Sequence, residues 1–210
     1  QAVGVLLFFE LVFASVFVQV LSGSSLRVVF PGADERCLLA AAGGASLMLL
    51  AVPEDRLAWV SYAGLLAAAT FAASLVASGA SLGGEVPAAG VSLVKAGGAP
   101  VTVPILAASM MAHSELGPVY ARMTHKEHFS KVCVGAFAAV SGFYLAIGVM
   151  GYLVYGNGVH SNLLDNVGFD AQGRPLPGVA WLQKLAAAMF FSKLQATQPF
   201  LIEPLARMIE

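Results

Sequence analysis

Two long runs of the chain, 57–81 and 132–155, are apolar and contain no charged residue. Each is longer than the about 20 residues that an α-helix needs to cross the hydrocarbon core of a bilayer. Inside that core no water satisfies the backbone N–H and C=O groups, so only helices and closed barrels can span it. Runs of this length and uniform hydrophobicity predict transmembrane α-helices.

Four further runs extend the pattern to six candidate spans, at about 2–21, 37–53, 57–81, 99–121, 132–155 and 179–208. Apolar residues make up 58% of the chain and charged residues 11%, whereas charged residues make up about 25% of a typical soluble domain. The sequence therefore predicts an all-α, polytopic transmembrane helical bundle that forms one domain over 1–210. Because the chain begins inside an apolar run and ends without a polar tail, we expect it to be a fragment of a longer protein.

Charge and motifs exclude several classes of protein. The net charge is −1 and no basic patch is interleaved with aromatic residues, so nucleic acid is not an expected partner. HExxH, GxSxG and Walker motifs and Cys/His clusters are absent, so we expect neither an enzyme nor a bound cofactor. A channel-type filter motif is absent as well. The densest basic cluster lies in 122–131, and an excess of Lys and Arg predicts that this loop is cytoplasmic.

The fourth run is interrupted by His113, Glu115 and the pair Gly117-Pro118. Irregular backbone at membrane depth is tolerated only where protein or a water-filled cavity surrounds it. Interrupted helices near the midplane hold the substrate and ions of secondary transporters. This pattern predicts a cavity in which His113 hydrogen-bonds or titrates and Glu115 accepts a proton. The alternative for Glu115 is a position at a cytoplasmic helix end.

Two further ionisable residues, Glu10 and Lys193, lie inside apolar runs, where charge is costly and marks functional positions. Glu10 is predicted to face a cavity and exchange protons, or to lie near a membrane interface. Lys193 is too central in its run to reach an interface easily. It is predicted to pair with a carboxylate, such as that of Glu10 or Glu203, or to supply a fixed positive charge at an ion site.

The last run also contains a polar wedge and two prolines. At about 100° per residue, a wedge roughly 100° wide holds four polar side chains, those of Lys184, Ser192, Gln195 and Glu203. Such a wedge is expected to face the interior of the bundle. Pro199 and Pro204 are expected to distort the helix and free carbonyl groups that can ligate a cation. An ordinary kink is the alternative for Pro204.

Several segments resemble the amino acid/auxin permease family, within the APC superfamily. His113 … Pro118-Val119-Tyr120-x-x-Met123 resembles the family's signature of Gly-His, Pro, Ile-Tyr and Met at this spacing, although Ala112 replaces the Gly and the Pro comes one residue late. Four other segments continue the resemblance in order, namely 129–132, 144–156, 162–166 and the Pro199-x4-Pro204 spacing. The vacuolar and vesicular amino acid transporter branch is the most similar, and the resemblance is carried by about 107–210.

The resemblance implies an eleven-helix transporter of five-plus-five inverted repeats, in which the six runs correspond to helices three to eight. It implies ion-coupled (H+ or Na+) secondary transport of amino acids, with the substrate held around 109–118. The implied substrate-binding residues are Ser109, Met110, His113 and Ser114. The resemblance implies Thr197 as an ion-coupling residue, by the family's cation-site position in the eighth helix. Lys193, Glu115 and Glu10 are further ion-coupling candidates because they are ionisable residues in apolar runs, and Lys193 and Glu115 depart from the family's usual pattern. Lys193 is of special interest, because its ammonium group can replace a sodium ion and make transport proton-driven.

A non-transporting amino acid sensor or scaffold of the same fold is the alternative function, since a sensor retains the same cavity. The expected surroundings are the lipid bilayer and the expected partner is a small-molecule amino acid. The resemblance favours a vacuolar or lysosomal membrane, with the plasma membrane as the alternative.

Overall fold

The computed structural model describes residues 2–52, 57–83, 90–92, 113–160, 162–170 and 172–209, together with residues 100, 102 and 106. Six α-helices lie within these ranges: α1 Ala2–Val29, α2 Glu35–Leu50, α3 Leu57–Ser81, α4 His113–Arg122, α5 Phe129–Tyr155 and α6 Trp181–Ile209. Short 3-10 turns lie at Lys126–His128, Gly156–Gly158 and Leu163–Asp165. The prediction of an all-α chain is confirmed.

In the described ranges, three helical stretches are long and apolar enough to cross a membrane, namely Gly4–Val29, Trp59–Ser81 and Lys126–Gly158. Helix α2 has 16 residues. At 1.5 Å per residue it extends about 24 Å, which is less than the about 30 Å of a bilayer core. Helix α6 has sufficient length at 29 residues, but polar and charged side chains are spread along it.

The first helix continues well beyond the predicted boundary at residue 21. Ser24 Oγ donates a hydrogen bond to the Val20 carbonyl at 3.1 Å, and Ser25 Oγ donates one to the Leu21 carbonyl at 2.8 Å. Serine hydroxyls that bond back by one turn are satisfied inside a helix. The polar Ser-Gly-Ser-Ser stretch therefore extends α1 instead of ending it.

The described residues form two compact units. The first, here called the four-helix unit, consists of α1, α2, α3, α6 and the loop from His160 to α6. Helix α6 is central in it, because it packs against each of the other three helices. Buried alanines at the packed faces, among them Ala42, Ala67 and Ala187, permit this close approach. The second, the α4–α5 unit, extends from Val86 to Val159.

The loop before α6 is fixed to the four-helix unit by hydrogen bonds. Asn166 is 1% exposed, and its Oδ1 accepts a bond from the His160 N–H at 2.8 Å. The Gly168 N–H donates to Ser78 Oγ on α3 at 2.9 Å, while the Gly168 carbonyl accepts from Leu176 N–H at 2.9 Å. The loop is thus a defined structure that ends directly at the start of α6.

Asp170 closes the turn in this loop. Its carboxylate accepts from the backbone N–H of Arg174 at 2.8 Å, from the Arg174 guanidinium at 2.7 Å and from the Gln172 N–H at 2.9 Å. These bonds, led by that of the Arg174 backbone N–H, hold the pKa of Asp170 below its usual value, against a smaller effect of burial. The carboxylate therefore remains ionised while it holds the turn together.

Candidate functional site

A cluster of six neutral polar side chains connects three helices of the four-helix unit. The members of this Ser/Gln cluster are Ser15, Gln19 and Ser22 on α1, Ser46 on α2, and Gln195 and Gln198 on α6. The spacing places the α1 members at i, i+4 and i+7 and the α6 members at i and i+3, so that each set lies on one helix face. A polar face of α1 and a polar face of α6 thus meet inside the unit.

Gln195 joins α6 to both other helices. Its Nε2 donates to Ser22 Oγ at 3.2 Å, and its Oε1 accepts from Ser46 Oγ at 2.8 Å. Gln195 is 4% exposed and Ser22 is fully buried. The Ser46 hydroxyl also lies 3.2 Å from Gln19 Oε1 and 3.1 Å from the Ala42 carbonyl. A hydroxyl holds one hydrogen, and the shortest of the three distances is the one to Gln195.

Gln198 completes the cluster one turn further along α6. Its Nε2 donates to Gln19 Oε1 at 3.3 Å and to the Ser15 carbonyl at 3.2 Å, while its Oε1 accepts from Ser15 Oγ at 3.1 Å. Gln19 Nε2 donates in turn to the Leu39 carbonyl at 3.3 Å. Both carboxamide groups at the centre are hydrogen-bonded through oxygen and nitrogen. Networks satisfied in this way hold their helices in one arrangement.

Sequence reasoning identified only one member of this cluster, Gln195, as an inward-facing residue. The prediction that the whole wedge faces the interior is wrong. Lys184 and Ser192 are exposed, and Glu203 is half-buried. Ser192 instead returns its hydroxyl to the Ala188 carbonyl at 3.0 Å. The i, i+4, i+7 spacing of Ser15, Gln19 and Ser22 is the sequence signal that could have found the cluster.

Lys193 and Thr197 lie next to each other on α6. Lys193 Nζ is 3.4 Å from Thr197 Oγ1, and Thr197 Oγ1 donates to the Lys193 carbonyl at 3.1 Å. Lys193 is exposed, and its contact with Thr197 differs from the predicted pairing with the Glu10 or Glu203 carboxylate.

The Lys193 stem runs along Gly64 of α3. A Cβ at Gly64 would lie 3.4 Å from Lys193 Cδ and 3.1 Å from Ala196 Cβ. Real Cβ contacts are rarely as short as the second distance. The absence of a side chain at Gly64 therefore lets α3 approach α6 beside the lysine.

The other predicted site residues lie elsewhere. Ser109 and Met110 are outside the described residues. His113, Ser114 and Glu115 begin α4, in the α4–α5 unit, and the description covers their backbone but not their side chains. The predicted interruption at Gly117-Pro118 is not seen, because α4 continues through both residues to Arg122. A helix can retain an internal proline at the loss of one backbone hydrogen bond. Glu10 is half-buried on α1.

A cavity of about 340 Å³ lies in the four-helix unit, between the end of α2 and the part of α6 after Pro199. Its walls are Leu49, Leu50, Val52, Pro199, Ile202, Glu203 and Ala206. Apart from the Glu203 carboxylate these side chains are apolar. On α6 the cavity begins at Pro199, the residue directly after Gln198 of the Ser/Gln cluster.

Comparisons with known proteins agree with this architecture. The sequence model of the family described as transmembrane amino acid transporter protein matches residues 1–210. The chain is 29% identical over 114 residues to the amino acid transporter AVT1J of Arabidopsis thaliana, an alignment that covers 54% of this chain and 27% of the plant protein. The match thus spans about a quarter of the length of that relative. No solved structure matches the chain. With a family match over its whole length and helices suited to a bilayer, the chain belongs to the transmembrane amino acid transporter family and is an integral membrane protein.

Proposed function

We propose that the full-length protein carries amino acids across a membrane by secondary active transport coupled to H+ or Na+. The match of the whole chain to the transporter family carries this proposal. A vacuolar or lysosomal membrane is the favoured location and the plasma membrane is the alternative, by resemblance to the vacuolar and vesicular branch. The coupling ion, rather than a cofactor, supplies the driving force.

The proposed substrate site lies at 109–118, with Ser109, Met110, His113 and Ser114 as its residues. Polar and ionisable side chains in an otherwise apolar run are expensive unless a bundle interior or cavity receives them. The charged α-amino and α-carboxylate groups of an amino acid need such partners. Glu115 and Glu10 are proposed to exchange the coupling proton.

For the ion-coupling step we propose Lys193 and Thr197, which meet at 3.4 Å on α6. The Lys193 ammonium is proposed to occupy the position of a bound cation beside the Thr197 hydroxyl. Loss and gain of its proton would then replace the binding and release of sodium. The close approach at Gly64 holds the aliphatic stem of the lysine against α3.

Replacement of Lys193 by alanine in the full-length protein is therefore expected to lower uptake driven by a proton gradient by at least about tenfold. Coupling free energies between two ligands are typically about 1–3 kcal/mol, or about 5- to 150-fold. Lys184→Ala is the matched control, since Lys184 is a second exposed lysine of the same helix and lies outside the Lys193–Thr197 pair. An unchanged rate and pH dependence of uptake in Lys193→Ala would contradict this assignment.

The function itself is tested with the full-length protein in proteoliposomes. A panel of radiolabelled amino acids is offered under an imposed proton gradient and, separately, under a sodium gradient. Uptake above that of protein-free liposomes under one of these gradients is the expected result, and it identifies the coupling ion. Saturable binding without uptake or counterflow would instead support a sensor or scaffold of the same fold.

A further inference from the structure

A short segment between α3 and α4, Gly90–Ser92, is fastened to the end of α5 within the α4–α5 unit. The Tyr152 hydroxyl of α5 lies 2.7 Å from the Ser92 amide nitrogen and 2.8 Å from the Ser92 carbonyl oxygen. It also lies 2.9 Å from Asn157 Oδ1. One phenol therefore bridges both backbone polar groups of a residue that is 60 positions away in sequence.

Asn157 supplies the second half of the attachment. Its backbone N–H donates to the Gly90 carbonyl at 2.9 Å, and its Nδ2 donates to Ser92 Oγ at 3.2 Å. Gly90 has a φ of +69°, a conformation that L side chains rarely adopt. With this backbone conformation the Gly90 carbonyl accepts from the Asn157 N–H.

The Tyr152 hydroxyl has more hydrogen-bond acceptors within reach than its single hydrogen can serve. A phenol can accept hydrogen bonds but donates a single hydrogen. The Ser92 N–H donates to the Tyr152 hydroxyl, whose one hydrogen then has two candidate acceptors, the Ser92 carbonyl and Asn157 Oδ1. Tyr152, Ser92 and Asn157 are all only partly buried, so packing does not enclose these bonds. Segments with few buried contacts are those that open locally at low free energy.

We propose that Tyr152 is a positioning residue that acts as a releasable latch on Gly90–Ser92. Six residues, 93–98, lie between Ser92 and residue 99, the predicted start of the proposed substrate-bearing span. Release of Ser92 is therefore proposed to accompany the change of access to the substrate site. This part of the inference rests on the proposed function, whereas the latch itself does not.

The latch is tested by deuterium labelling of the backbone amides of Gly90–Ser92 in the full-length protein, followed by mass spectrometry. The Ser92 N–H donates to the Tyr152 hydroxyl, so its exchange reports release of the segment. Tyr152→Phe is expected to raise the rate of labelling of this amide about five- to thirty-fold, which corresponds to about 1–2 kcal/mol. Tyr144→Phe is the matched control, because Tyr144 is an exposed tyrosine of the same helix, and it should leave the rate unchanged.

A second variant keeps the test decisive if Tyr152→Phe does not fold. Asn157→Ala keeps the hydrogen bonds between Tyr152 and Ser92 but removes the hydrogen bond from Asn157 Nδ2 to Ser92 Oγ. An intermediate increase in labelling is therefore expected. Equal labelling rates in the parent and in both variants would overturn the latch.

Uptake kinetics of the same proteins separate the two proposals. Tyr152→Phe is expected to change the maximal rate of uptake while KM stays within about twofold, because the phenol is assigned to positioning and not to substrate contact. Faster labelling with an unchanged maximal rate would refute the link to transport. If the parent transports nothing and Tyr152→Phe still labels faster than the parent, the proposed function is refuted and the latch is not.

Discussion

Replacement of Gln195 by leucine is expected to lower the free energy of unfolding of the protein by about 1–3 kcal/mol. The substitution conserves size but removes the nearest of the three acceptors of Ser46 Oγ, at 2.8 Å, and the donor to Ser22 Oγ, at 3.2 Å. A buried polar group that loses its partner costs about 1–3 kcal/mol. Single side-chain hydrogen bonds between membrane helices average about 0.6 kcal/mol. Gln195 stands above that average because it makes two bonds, both to buried groups.

The measurement is reversible denaturation of the full-length protein in detergent micelles or bicelles. Gln183→Leu is the matched control, since Gln183 is a half-buried glutamine of the same helix with one long bond, 3.5 Å, to the Leu164 carbonyl. It should change stability by less than about 0.5 kcal/mol. The double variant Gln195→Leu/Ser46→Ala should recover part of the loss, because removal of both partners leaves fewer orphaned groups. Strict additivity of the two single losses would contradict a role of the cluster as a connected network.

Replacement of Gly168 by alanine is expected to cost about 2–4 kcal/mol, the larger of the two effects on stability. Gly168 has a φ of +81°, in the left-handed region, where an L side chain costs about 1–2 kcal/mol. The added Cβ would also lie 2.9 Å from the Val179 carbonyl oxygen and 3.0 Å from Ala180 Cα. These are backbone atoms and cannot rotate away, so the start of α6 must shift.

Gly173→Ala isolates the contribution of packing from that of the dihedral angle. Gly173 has a similar φ of +76°, but a Cβ there would meet nothing within 4 Å. Its replacement should cost only the conformational strain, about 1–2 kcal/mol. Thermal unfolding of the two variants side by side gives the difference. Equal losses would show that the contact of Gly168 with the chain before α6 is unimportant.

The apolar runs made the helical bundle predictable, because hydrocarbon leaves the backbone few other structures. The helix boundaries were less predictable where polar side chains form hydrogen bonds within their own helix. Ser24 and Ser25 bond to carbonyls one turn back, so α1 continues to Val29. In α4, Gly117-Pro118 suggested a break that the helix does not have.

The Ser/Gln cluster was hardly predictable, because it depends on which faces three helices turn towards one another. A helical-wheel argument groups Gln195 with Ser192, yet the first is buried and the second is exposed. Only the packing of α6 against α1 and α2 distinguishes them, and that packing includes Gln198, which the wedge omitted. The spacing of Ser15, Gln19 and Ser22 marks a polar face of α1, but local sequence does not indicate its partners, such as Gln198, which lies 183 positions from Ser15.

The chemistry of the Ser/Gln cluster has a consequence for a protein that faces two compartments. Hydroxyl and carboxamide groups neither gain nor lose protons between acidic and neutral pH, so the hydrogen bonds of this junction are the same under both conditions. Acidification on one side of the membrane therefore leaves the attachment of α6 to α1 and α2 unchanged.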